Sequence, residues 1–141
     1  MPELNDDLWP ADLGIGAMVT PAAILRAQAA VLAERTKGIL EAAVETSSVG
    51  DEFYHRFVIK APALGNYRYE LFQVHHPATL YPVVINKDAT RRPGGSSLAV
   101  VPIEGSDELR DEQTLRSWLR SVFASEASKR IIANLYAQAS Q

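Results

Sequence analysis

"EFYHRFVIKAPALGNYRYELFQVHHP", residues 52 to 77, decides how this chain folds. Two runs rich in aromatic and β-branched residues flank "PALGN", a cluster of turn formers. Each run alternates apolar with polar side chains, as a strand with one buried face does. The stretch therefore reads as two antiparallel strands, 52–61 and 67–76, joined by a short loop. Register follows the buried face, because a slip of one residue turns every side chain over. Setting Phe57 opposite Leu71, Ile59 opposite Tyr69 and Phe53 opposite His75 gives one apolar face. The alternative would place Phe57 against Glu70 and Ile59 against Arg68. The preferred register centres the turn on Leu64 and ends a three-residue loop at Gly65, where a positive φ is cheap.

That register carries the candidate site. His55 then lies opposite Gln73 and diagonal to His75 on the same face, a polar cluster at one end of an apolar surface. Histidine titrates near neutrality, so the trio His55, Gln73 and His75 is a candidate for ligand binding or acid–base work. His76 would point to the other face. Two converging imidazoles fall short of the three protein ligands of catalytic zinc, so no metal is expected. On the reverse face Tyr54 would lie beside Val74 and Arg56 beside Phe72. These four make a candidate partner-binding patch of aromatic and aliphatic groups.

Outward from the hairpin the periods change. "ILEAAVETS" (39–47) alternates as a first strand, and "SSVGD" turns the chain. "LYPVVIN" (80–86) is a short fourth strand that Pro82 confines to an edge or a bulge. "LAVVPIE" (98–104) is a fifth, apolar on both sides. Before the strands, "TPAAILRAQAAVLAERTKG" carries helix signals: Thr20 as N-cap, Pro21 in the first turn and Gly38 as the stop. Ile24, Leu25, Val31 and Leu32 form its stripe. After them, Leu115, Trp118, Leu119 and Val122 repeat at helical spacing. Ser125 caps a last helix with Ala127, Ile131, Ile132, Leu135 and Tyr136 inward.

The order α-β-β-β-β-β-α-α predicts an α+β fold: an antiparallel five-stranded meander with one N-terminal helix and two C-terminal helices packed mainly on one face. Residues 1–19 read as an irregular arm that Leu8, Trp9, Leu13 and Ile15 could pin to the body. Residues 20–141 read as a single domain, in keeping with the length of 141.

Composition narrows the function classes. The chain has no cysteine, which excludes disulfides, thiolate nucleophiles and cysteine-held metals. Seventeen acidic against fourteen basic side chains argue against general nucleic-acid binding, which needs a basic surface. No apolar run approaches the ~20 residues of a membrane span, and no secretory pattern opens the chain; a cytoplasmic location is expected. No cofactor motif is present. "TRRPGGSS" (90–97) offers Arg91 and Arg92 as a candidate anion site, through guanidinium forks and backbone N–H groups. It lacks the lysine and following helix of a nucleotide P-loop. The basic side of the last two helices (Arg110, Arg116, Arg120, Lys129 and Arg130) reads as a charged outer face.

No catalytic constellation emerges. The expectation is therefore a noncatalytic protein-binding or regulatory module acting through the aromatic sheet face or a helix surface. Its partner would be another protein or a second copy. The alternative is a small-molecule-binding protein, or small enzyme, with its pocket near His55, Gln73 and His75.

Overall fold

The computed structural model describes residues 8–12, 19–85 and 108–141. Helix α1 (Pro21–Arg35) leads into β1 (Glu41–Val49), β2 (Glu52–Ala61), β3 (Tyr67–Pro77), β4 (Val83–Ile85) and β5 (Glu108–Leu109), followed by α2 (Glu112–Ala124) and α3 (Glu126–Ala139). The five strands lie in sequence order in one antiparallel sheet, so the meander expected from the sequence is what forms. Residues 98–104, read from the sequence as the fifth strand, lie outside the described residues; among the described residues Glu108–Leu109 pairs with β4.

The helix ends follow the side chains that satisfy them. Thr20 accepts from the Ala23 N–H at 3.1 Å, and Asp111 accepts from the Thr114 N–H at 2.9 Å. Ser125 accepts from the Ser128 N–H at 3.2 Å. Helix α1 stops in a reciprocal pair of bonds, Gly38 N–H to Ala33 O and Lys37 N–H to Glu34 O. Thr36, buried at that stop, has its hydroxyl 2.9 Å from both the Leu32 and Leu40 carbonyls, donates its one hydrogen to one of them, and accepts from the Leu40 N–H.

One sheet face carries the core. Ile24 and Leu25 of α1, Leu115, Trp118, Leu119 and Val122 of α2, and Leu135 of α3 cover Phe57, Ile59, Leu71, Phe72 and Val74. Burying each such side chain contributes about 1.5–3 kcal/mol. The stripe of α3 is rotated from the one read in the sequence. Ser128 and Leu135 are buried, whereas Ala127 and Tyr136 are exposed. Leu8 and Trp9 are 92% and 74% exposed and do not join the core. Leu13 and Ile15 lie outside the described residues.

The central hairpin departs from its expected register at one point. From Ala61↔Tyr67 to Val58↔Glu70 the pairs are the expected ones, and Ile59 faces Tyr69. Then a bulge leaves Leu71 without a partner, and the pairing resumes one residue on, at Phe57↔Phe72. Beyond the bulge every expected pair is displaced: Phe53 faces His76, not His75, and His55 faces Val74, not Gln73. The loop is also longer than expected. Residues 62–66 form it, with a 3-10 turn at Pro62–Leu64 and positive φ at both Gly65 and Asn66.

Candidate functional site

The bulge decides which side chains meet. Successive strand residues point to opposite faces, and an inserted residue exchanges the two sets. Leu71 and Phe72 therefore both reach the helix-covered face. Phe72 meets Trp118 edge-on at 5.0 Å and stacks on Phe57 at 5.2 Å. Leu71 instead becomes part of the floor of a cavity.

That cavity, of about 360 Å³, opens where all three helices meet the sheet. Phe57, Ile59 and Leu71 make its floor. Val31 and Leu32 of α1, with Phe123 of α2 and Ile132 of α3, make its walls. Its polar lining is Gln28, Arg35 and Thr36. Thr36 is committed to backbone partners, which leaves Gln28 and Arg35, seven residues and about two helical turns apart on α1, facing the space. Neither makes a hydrogen bond or ion pair among the described residues. A smaller hollow of about 110 Å³ shares Gln28 and Phe123 with it and is lined further by Ile24, Arg116, Leu119 and Arg120.

At the far end of the same face the histidines form a closed chain. Thr46 Oγ1 lies 2.9 Å from His55 Nδ1, His55 Nε2 lies 2.8 Å from His76 Nε2, and His76 Nδ1 lies 2.7 Å from the Pro77 carbonyl. A carbonyl only accepts, so His76 Nδ1 donates to it. With both rings neutral the chain then has one sense. Thr46 O–H donates to His55 Nδ1, His55 Nε2–H donates to His76 Nε2, and His76 Nδ1–H donates to Pro77 O. The rings are 3% and 4% exposed, with Phe53 stacked on His76 at 5.8 Å. Burial first, then the nearby His76 and the Arg26 charge, lowers the His55 pKa from 6.5 to about 4. Every ring nitrogen has a partner without any ligand.

The cluster His55, Gln73 and His75 is thus not brought together. Gln73 and His75 lie on the reverse face, opposite Arg56 and Tyr54, while His76 takes the place beside His55. His75 stacks on Tyr54 at 4.9 Å and meets Glu52 at 2.9 Å. The expected patch of Tyr54, Arg56, Phe72 and Val74 is likewise divided. Phe72 and Val74 are core residues, 1% and 0% exposed, whereas Tyr54 and Arg56 stay on the reverse face. Arg91 and Arg92 lie outside the described residues. Among the described residues, no three His, Asp or Glu side chains stand together as a metal group.

What the sequence reading missed is His76 as the partner of His55, Thr46 at the other end of that chain, and the cavity. A signal for His76 was present. The apolar alternation runs through Tyr67, Tyr69 and Leu71, then switches phase to Phe72 and Val74, with His76 next in that phase, and the switch marks the bulge. The cavity had no such signal, since it depends on how three helices meet.

Fold and site define a small α+β protein with an apolar cavity between its helices and its sheet. No protein-family model, no curated protein and no solved structure matches the chain.

Proposed function

We propose that this protein is a noncatalytic small-molecule-binding module whose ligand occupies the cavity between α1, the sheet and the α2–α3 junction. One observation carries the reading. The cavity joins apolar walls from every layer to two polar side chains, Gln28 and Arg35, that have no partner among the described residues. Its volume of about 360 Å³ falls at the lower end of the ~300–1,000 Å³ typical of ligand sites. At the histidine end the ring nitrogens of His55 and His76 are matched to protein partners.

A neutral fluorescent probe, N-phenyl-1-naphthylamine, tests the reading directly. Its emission should rise saturably with the wild-type protein and stay low with Val31→Trp, which fills the cavity mouth from a position already 40% exposed. Circular dichroism checks that the variant is folded. Equal emission from both proteins, or none from either, would refute the proposal.

A second reading, association with another copy, is favoured by the edge of the sheet. Strand β1 stands at the end of the strand order and runs for nine residues, a length on which a second β1 could pair antiparallel. Light scattering on the eluted protein decides it: a dimer supports the pairing, and a monomer at all concentrations removes it.

A further inference from the structure

The two hollows differ in chemistry along one line. The larger is mostly apolar, whereas the smaller sets two guanidinium-bearing residues, Arg116 and Arg120, beside the Gln28 amide. Gln28 and Phe123 line both, so the two hollows are neighbours. Arg116 and Arg120 are four residues apart on α2 and so project on one side, one turn from each other. Arg116 is held by Glu112 at 2.8 Å, so part of its charge is already answered. Arg120 makes no ion pair or hydrogen bond among the described residues, and no carboxylate lines either hollow there. A guanidinium fork matches the two oxygens of a carboxylate or related acid group.

Resting on the small-molecule reading above, we infer that the ligand is an amphipathic anion. Its unbranched or compact apolar body fills the larger cavity, and its single acid headgroup sits between Arg116 and Arg120. The basic side of α2, which the sequence alone reads as a solvated face, becomes in part the headgroup seat. A neutral or cationic ligand of the same shape would leave Arg120 unanswered, and a cation would meet two positive charges.

The test is displacement of N-phenyl-1-naphthylamine by three compounds with a ten-carbon chain: decanoate, decanol and decyltrimethylammonium, with decanesulfonate as a second acid. Decanoate and decanesulfonate should displace the probe at concentrations about tenfold lower than decanol, the size of one charge-assisted contact. Decyltrimethylammonium should be weakest. Arg120→Gln should erase the advantage of decanoate over decanol without changing probe affinity, and Arg116→Gln should reduce it. Arg130→Gln, on the exposed side of α3 away from both hollows, should change nothing. If decanol and decanoate compete equally, the cavity binds small molecules but the anionic class is wrong. An equal loss in Arg130→Gln would mean a general charge effect and would overturn the assignment too. No probe binding at all would sink the small-molecule reading together with it.

Discussion

The two ends of the helix-covered sheet face solve the same problem in opposite ways. Near the α1 stop, apolar side chains from three helices and two strands fail to close, and Gln28 and Arg35 beside the gap have no partner among the described residues. At the far end, two imidazoles that ought to be awkward to bury are matched atom for atom from Thr46 to Pro77. A buried polar group with its partners is a structural element, whereas an open apolar space with unmatched polar rims awaits something else. The residues that look chemical are the ones already satisfied.

The largest expected effect breaks that contrast by charging the histidine end. Burial beside His76 and Arg26 holds the folded-state pKa of His55 at about 4, against 6.5 for a free imidazole. Above 6.5 it is neutral in both folded and unfolded states and contributes no pH dependence. Between 6.5 and 4 the unfolded chain binds the proton and the folded one does not, so stability falls as pH falls; below 4 the loss levels off. The whole step is worth about 3 kcal/mol. Denaturant unfolding of wild type and His55→Phe across pH 4 to 7.5 isolates it from the carboxylates. The wild type should lose about 3 kcal/mol more over that window, and parallel curves would show that His55 is not kept neutral.

A smaller break removes the far ring. His76→Leu leaves one nitrogen of the buried His55 ring without a partner, whichever tautomer it adopts. That costs about 2 kcal/mol at neutral pH. Since the two rings act as one unit, His55→Leu combined with His76→Leu should be less destabilising than the sum of the single changes. Additive losses in this double-mutant cycle would mean that the 2.8 Å contact carries no energy.

Both histidine predictions depend on a feature only half legible beforehand. The meander, the first and last helices, their caps and the buried stripe of α2 all follow from local rules: Thr20, Asp111 and Ser125 accept the N–H groups such residues accept, and Leu115, Trp118, Leu119 and Val122 recur at the helical period. Register is a long-range property, and one extra residue defeats a rule that assumes unbroken alternation. Leu71 followed by Phe72 breaks the alternation in the sequence itself, so the bulge could have been read from those two residues. Gln28, Arg35 and Phe123 could not. They are ordinary helical positions whose shared outlook exists only after α1 and α2 settle on the sheet.

Leu71→Ala sharpens the comparison from the cavity side. Leu71 is 2% exposed, but it already borders empty space, so its loss enlarges an existing cavity rather than opening a new one. The cost should sit near the bottom of the range for leucine truncation, about 2 kcal/mol. Chemical denaturation gives the number. A loss above about 4 kcal/mol would show the cavity to be a closed part of the core. The variant should also take larger probes than wild type.

The smallest effect asks whether unmatched polar groups mean anything in this protein. Ser128 is fully buried at the start of α3, and its hydroxyl has no hydrogen-bond partner among the described residues. Unlike Gln28 and Arg35 it lines neither hollow, so a ligand there does not explain it. Its backbone N–H is satisfied by Ser125, so replacing the side chain leaves the helix start intact. Ser128→Ala removes a buried hydroxyl that gains nothing from its surroundings, and should raise stability by up to about 1 kcal/mol. Thermal unfolding of the two proteins side by side measures it. A drop instead of a rise would mean that Ser128 has a partner, and that a bare hydroxyl cannot be read here as an unmet need. A rise would leave the rim of the cavity as the place where unmatched polar groups coincide with room for a ligand.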